Sequence, residues 1–412
     1  MGADNRVVIV GAGHGGVQAA ASLREEGFEG SITLISADRH QPYQRPPLSK
    51  AYMKGEASAA SLILRGSIWY DEKNVELMLD ERVVAIDRVD RRACLASGRN
   101  IPYDHLILAT GADPRPAPFP GTELEGVHLL RNLGDAEHLR LTLGSAQNVV
   151  VIGAGFIGLE FAATAASKGC HVQVVEVAPR VMARAISTVL SEFYAEAHRG
   201  FGVRLHLGVG VAAVEGVNRR ATAVRLTDGR TLPADVIVVG IGILACDALA
   251  TAAGLAVDNG IVVDASMTTS DPAISAIGDC AAHPNVFAAR RVRLESVQNA
   301  IDQARVVART VVGRPARYDA LPWFWSDQGD LKLQIAGLID GCDMFVLRGQ
   351  PETRSFSIFG FGAGKLRAVE SVNRPADHMI ARRLITGGMA LSPEQAADPS
   401  FDLKACIARP AT

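Results

Sequence analysis

Two stretches of the chain share one hydropathy pattern: an apolar run, a cluster of glycines, then small residues at helical spacing. They are VVIVGAGHGGVQAAASL at 7–23 and VVVIGAGFIGLEFAATA at 149–165, offset by 142 residues. An uninterrupted apolar run feeding glycines predicts a strand buried on both faces that turns into a helix. That is the βαβ opening of a dinucleotide-binding unit. Gly11 and Gly153 permit the tight turn, Gly13 and Gly155 let backbone approach a pyrophosphate, and Gly16 and Gly158 let helix and strand pack closely. One G-x-G-x-x-G is weak evidence. Two copies, each in strand–loop–helix context, are strong.

Further along, HLILATGADPRP (105–116), ADVIVVGIGILAC (234–246) and ISAIGDCAA (274–282) read as buried strands ending at Gly111, Gly242 and Asp279. ESVQNAIDQARVVARTVVG (295–313) reads as a helix starting near Ser296, with Arg305 and Arg309 late, as the helix dipole prefers. From about 317 the texture changes to short alternating or aromatic strands, PWFWSDQ, LKLQIAGLI, MFVLRG and SFSIFGFG, which predict a small α+β domain.

Composition narrows the class. The 412 residues are 48% hydrophobic and 21% charged with net charge −2, so two or three globular domains are expected and no global field favours nucleic acid. Apolar runs are too short for a membrane span, and MGADNRVVIVGAG enters a strand at once, so a cytoplasmic location is expected. The six cysteines are scattered singly, which argues against a metal site or redox pair.

An acid at the end of the second strand of such a unit receives the ribose hydroxyls. SITLISAD supplies Asp38, slightly late and after Ala37, whereas HVQVVEVAPR places Glu176 at the strand end. A carboxylate there repels a 2′-phosphate and favours NADH, with Arg180 and Arg184 following it.

Taken in order, the two glycine motifs, RPPLSK (45–50), ATG, IGDC and PWFWSDQ resemble the oxygenase-coupled, FAD-dependent NADH:ferredoxin reductase family, of the putidaredoxin reductase and biphenyl dioxygenase reductase type. The resemblance runs from about residue 6 to 400 and implies a glutathione-reductase-like α/β fold. In it, two Rossmann-type dinucleotide-binding domains are joined to a small α+β C-terminal domain. The FAD-binding domain would be 1–112 with 243–316, the NAD-binding domain 113–242, and the C-terminal domain 317–412. It implies FAD contacts at Gly11, Gly13, Gly15, Gly16, Ala37, Asp38, Arg45, Lys50, Val83, Ala109, Thr110, Gly111, Arg131, Asp279, Val297 and Trp325. NADH would meet Gly153, Gly155, Phe156, Ile157, Gly158, Glu160, Glu176, Arg184 and Gly242. No metal site is implied.

The resemblance also gives Lys50 and Glu160 the catalytic roles, Lys50 beside the flavin and Glu160 reaching it from the second loop's helix. Pro46 and Pro47 fix φ and stiffen the approach to that lysine. Disulfide reductases of this fold keep cysteine in this segment; here residues 24–93 contain none, so an external acceptor is expected, a [2Fe-2S] ferredoxin. Seven arginines between 288 and 318, Arg290, Arg305 and Arg309 among them, would form a basic patch for that acidic partner, the alternative being a helix that carries ordinary solvated arginines. A monomer or weak homodimer is expected. The alternatives are an NADH oxidase, a monodehydroascorbate-type reductase, or a flavin-bearing interaction protein like apoptosis-inducing factor.

Overall fold

The computed structural model describes residues 4–407, which divide into two compact units. The first comprises Met1–Gln44, Ala60–Asp113 and Leu244–Pro322; the second Arg45–Ala59, Pro114–Ile243 and Trp323–Thr412. Among the described residues no helix is long and apolar enough to cross a membrane.

The first unit is built on a parallel five-stranded sheet in the order Ile274–Ala276, His105–Leu108, Arg6–Val10, Ser31–Ile35, Val75–Met78. Arg6–Val10 is central and buried after its first residue, as its apolar run requires. The helices His14–Glu25 and Val297–Val311 pack together, and their small inward residues (Ala19, Ala20, Ala304, Ala308) let them approach closely. One of the chain's exits from this unit, after Asp113, lies beside its return at Leu244. There Thr110 Oγ1 donates to the Cys246 carbonyl (2.7 Å) and Cys246 N–H donates to the Gly111 carbonyl (3.0 Å).

The second unit repeats the arrangement. Its parallel sheet runs Arg204–Leu207, His171–Glu176, Asn148–Ile152, Val236–Val239, Val127–His128. It also contains an antiparallel sheet ordered Trp323–Gln328, Leu331–Gly337, Lys365–Val372, Ser355–Gly362, Met344–Gln350, with the helix Pro375–Thr386 packed on it. The short strands expected after 317 are this sheet.

The partition differs from the three-domain expectation at 45–59, at 317–322 and in the union of the last two domains. Residues 45–59 cluster with the second unit because the short helices Pro46–Ser49 and Ala51–Lys54 pack on the helices Leu133–Leu143 and Phe156–Ser167. Arg140 stacks over the Tyr52 ring at 4.7 Å there. Residues 114–243 and 323–412 form one unit, with 317–322 left in the first, and buried polar contacts join the two spans. Glu370 of the antiparallel sheet accepts from Ser187 N–H (2.8 Å) and Oγ (2.5 Å) at the start of the helix Thr188–Gly200. Polar contacts that are satisfied only across a seam fix its geometry.

Candidate functional site

Both glycine loops are shaped by contacts no side chain would allow. Gly11 sits at φ +107°, and a Cβ there would lie 2.2 Å from the Ala109 carbonyl oxygen. A Cβ on Gly16 would lie 1.9 Å from the Gly11 oxygen. In the second unit Gly153 has the same φ of +107° and a Cβ would stand 2.3 Å from the Gly240 oxygen, while one on Gly158 would meet the Gly153 oxygen at 2.2 Å. The middle glycines, Gly13 and Gly155, face open space. They are also the N-caps of His14–Glu25 and Phe156–Ser167, and neither helix start receives a side-chain cap. Elsewhere Asn132, Ser187, Ser296 and Ser392 cap their helices. Two loops closed at the first and third glycine, open at the second, with uncapped amides beyond, fit a pyrophosphate each.

Around the first loop, Ala109 N–H is bonded to the Val10 carbonyl (2.8 Å), and Gly15 packs on Ile277 and Ala300. Val83 is buried at the start of the strand Val83–Asp87. Asp279 lies in the single turn Gly278–Cys280, whose Gly278 N–H donates to Gln303 Oε1 (2.7 Å), and Val297 opens the following helix behind its Ser296 cap. Asp38 is engaged locally. Its carboxylate accepts from His40 N–H (3.0 Å), His40 Nδ1 (2.8 Å) and Tyr43 OH (2.8 Å). Burial pushes its carboxyl up, and those bonds outweigh burial and hold it below the usual range. Ala37 is exposed beside it. Cys280 is fully buried against the Leu108 and Ile277 carbonyls, and burial pushes its thiol up, so it is inert.

Around the second loop, Glu176 braces the turn: Oε2 accepts from Ala154 N–H (2.7 Å) and Oε1 from Ala178 N–H (2.9 Å). Arg184 is exposed, and its Nη2 lies 3.6 Å from where a Gly242 Cβ would be, so these two predicted contacts meet. Arg180 is unavailable to a nucleotide because its guanidinium donates to the Ile186 (2.9 Å) and Ala183 (2.6 Å) carbonyls. Ile157 is exposed, and Phe156 meets Phe324 with ring centroids 4.6 Å apart.

The predicted cation and acid come together within the second unit. Lys50 Nζ lies 3.1 Å from Glu160 Oε1, and Asp327 Oδ2 is 4.0 Å from the same ammonium. The Glu160 side chain is 5% exposed. Burial pushes its carboxyl up, and Lys50 with the hydrogen bonds from Ser326 and Ser49 offsets only part of that. Ser326 Oγ donates to Oε1 (2.6 Å) and Ser49 Oγ to Oε2 (2.6 Å). Arg45 Nη1 donates to the Arg131 carbonyl (2.9 Å), joining two more predicted contacts. Trp325 is half-buried, 5.6 Å from the Trp323 ring, which lies under the Arg382 guanidinium.

Sequence reasoning does not single out Ser49, Ser326 or Gln328. The signal for the last two is the period-2 alternation of WFWSDQ, which puts Phe324, Ser326 and Gln328 on one face and Trp325 and Asp327 on the other. The expected arginine patch is partly neutralised: Arg305 pairs with Asp302 (2.8 Å) and Arg309 with Glu26 (3.0 Å). Arg290 is exposed.

Residues 5–304 match the family model described as pyridine nucleotide-disulphide oxidoreductase, and 323–407 match that described as reductase C-terminal. Rhodocoxin reductase of Rhodococcus erythropolis is 50% identical over 98% of this chain and 94% of its own. The ferredoxin reductase of the CYP199A2 system from Rhodopseudomonas palustris superposes with a TM-score of 0.96 at 50% identity, covering 98% of this chain and 99% of that one. The reductase of the covalent putidaredoxin reductase–putidaredoxin complex gives 0.96 at 42% identity, covering 99% of each. Two pyrophosphate-shaped loops, a lysine held by a buried glutamate, and this full-length similarity converge: the chain belongs to the pyridine nucleotide-disulphide oxidoreductase family, among its oxygenase-coupled ferredoxin reductases.

Proposed function

We infer that this chain is an FAD-dependent NADH:ferredoxin reductase. It passes electrons singly to a [2Fe-2S] ferredoxin that supplies a cytochrome P450 or Rieske-type oxygenase, and it works in the cytoplasm as a monomer or weak homodimer. The observation that carries this is the Lys50–Glu160 pair, 3.1 Å apart, in a segment with no cysteine. The names of its similar proteins, rhodocoxin reductase and putidaredoxin reductase, support it.

When bound, a flavin accepts a hydride from a nicotinamide and releases the pair as single electrons. The rest falls to this chain's residues. Gly11, Gly13, Gly15 and Gly16 with the uncapped helix behind them would receive the FAD pyrophosphate. Ala37, Asp38 and Val83 would lie toward the adenosine, and Ala109, Thr110, Gly111, Asp279 and Val297 along the remainder. Because the Asp38 carboxylate is engaged by His40 and Tyr43, its part would be to fix the turn. Arg45, Arg131 and Trp325 would complete the FAD contacts.

Gly153, Gly155, Phe156, Ile157 and Gly158 would receive the NADH pyrophosphate, with Arg184 and Gly242 beside them. Glu176, braced by two backbone amides, keeps lone pairs for ribose hydroxyls and repels a 2′-phosphate. Lys50 presents a fixed positive charge to the reducible ring, and Glu160 holds that ammonium in place. Arg290, Arg305 and Arg309 would face the ferredoxin.

The test is steady-state NADH oxidation with two-iron ferredoxin or with oxygen alone, NADPH run beside NADH. Fast ferredoxin reduction with little oxygen consumption is expected. Rapid oxidation with oxygen alone, indifferent to ferredoxin, would make the protein an oxidase. Arg305→Glu should raise the ferredoxin KM and leave ferricyanide reduction intact; an unchanged ferredoxin KM removes the docking role.

A further inference from the structure

The Glu160 carboxylate ends a line of buried polar groups that the two glycine motifs do not require. Gln328 Nε2 lies 3.2 Å from Ser326 Oγ, and Gln328 Oε1 lies 2.8 Å from His198 Nε2 in the helix Thr188–Gly200. Ser326, Gln328 and His198 are each 0% exposed. Four polar side chains in single file, all inside the second unit, are costly to bury unless each bond is made in one direction.

The direction follows from the chemistry of each group. An ionised carboxylate only accepts, so the Ser326 hydroxyl donates to Glu160 and must accept from its other neighbour. Gln328 therefore turns its NH2 toward Ser326 and its carbonyl toward His198, and His198 carries its proton on Nε2. Burial pushes the His198 imidazole down, so the ring is neutral and this single tautomer persists. Its Nδ1 has no partner, and the remaining Gln328 hydrogen points at Met182 Sδ (3.5 Å). Each of the three bonds along the file is donated toward Glu160.

We propose that Ser326, Gln328 and His198 form a positioning relay that keeps Glu160 ionised and aimed at Lys50, and so keeps the Lys50 ammonium fixed. This rests on the role given above to the Lys50–Glu160 pair. It also accounts for the spacing in WFWSDQ: Ser326 and Gln328 alternate inward to reach Glu160, while Asp327 alternates outward to Lys50.

The charged and titratable groups around Glu160 are few. Lys50 and Asp327 flank it, Lys54 lies on the next short helix, and Tyr194 approaches from the helix Thr188–Gly200. His171 and Glu176 stand at the two ends of the neighbouring strand, the latter engaged with Ala154 and Ala178. Burial pushes the Tyr194 hydroxyl up, so it stays neutral. Among these groups Lys50 and the hydroxyls of Ser49 and Ser326 are those bonded to the carboxylate.

The experiment follows the carboxyl stretching band of Glu160 by infrared titration of the FAD-loaded protein, identified by its loss in Glu160→Gln. Ser326→Ala should move its protonation up by about one pH unit, the size of one charge-assisted hydrogen bond. Gln328→Leu should move it the same way by less, and Ser326→Thr should leave it in place. The acid limb of the kcat profile for ferricyanide reduction should follow the same order, and in the Glu160→Gln background, which lacks the band, Ser326→Ala should leave that limb in place. An unmoved band in both Ser326→Ala and Gln328→Leu overturns the relay. A band that moves while Glu160→Gln leaves turnover unchanged upholds the relay and sinks the role assigned to Lys50–Glu160.

Discussion

The two glycine loops are near copies in backbone and unlike in what surrounds them. Gly11 and Gly153 share φ +107°, and each first glycine N–H reaches across to the neighbouring strand at 2.8 Å, Gly11 to the Ile35 carbonyl and Gly153 to that of Val175. The register then places Ser36 where the second copy has Glu176. One turn into the helix the first copy has Gln18, whose amide bonds to Ser22 (3.0 Å) in its own helix. The second copy has Glu160, inside a shell of Lys50, Ser49 and Ser326. A repeated motif thus fixes a cradle, and the residues packed on it decide whether the cradle only binds or also holds charge for chemistry.

The largest effect should come from filling the third glycine of each loop. Gly16→Ala places a methyl 1.9 Å from the Gly11 oxygen and should yield protein that does not retain flavin. Gly158→Ala makes the same clash at 2.2 Å in the second copy and should leave the protein yellow while raising the NADH KM at least about tenfold. Absorbance of the purified variants decides it: flavin lost from the second variant and kept by the first would reverse the assignment of the two loops.

Removing the cation comes next. Lys50→Met should cut NADH:ferricyanide turnover about 100-fold, the usual scale for losing one preorganised electrostatic contact. Turnover within threefold of the parent would remove the chemical difference between the two cradles. Glu176→Gln should be milder, lowering the NADH-over-NADPH ratio of kcat/KM about tenfold as the repulsion of a 2′-phosphate is lost. An unchanged ratio would transfer that selectivity to other residues.

The smallest effect concerns the other buried acid of the second unit. Burial pushes the Glu370 carboxyl up to about 7, against the hydrogen bonds from Ser187. Its folded-state value lies above its unfolded one, so the folded protein binds the extra proton between about pH 4.5 and 7 and loses stability as pH rises through that window. Glu370→Gln mimics the protonated form, so it should change little at pH 5 and raise Tm by about 1–3 °C at pH 8. A Tm lowered at pH 8 would show that the ionised form is the stabilising partner of Ser187.

Much of the fold was legible because local physics repeats. Apolar runs ending in glycine gave both parallel sheets, and Ser296 ahead of a small-residue face marked the helix Val297–Val311. Lys50 and Glu160 were legible as a pair only through the family resemblance, since 110 residues of sequence separate them. Other features were hidden. Nothing in SITLISAD says that His40 and Tyr43 engage Asp38, and nothing in the arginine-rich stretch says that Glu26 answers Arg309. Side-chain hydrogen bonds depend on ångström-scale distances that hydropathy does not encode.

The sequence by itself determined the two cradles, because a turn that admits no Cβ leaves glycine as the residue that fits, and it placed no cysteine between 24 and 93. The tertiary structure decided what those cradles are joined to. Residues 45–59 pack on the second unit, and Ser326, Gln328 and His198 line up on Glu160, because a buried carboxylate is tolerated only where donors from distant parts of the chain converge on it.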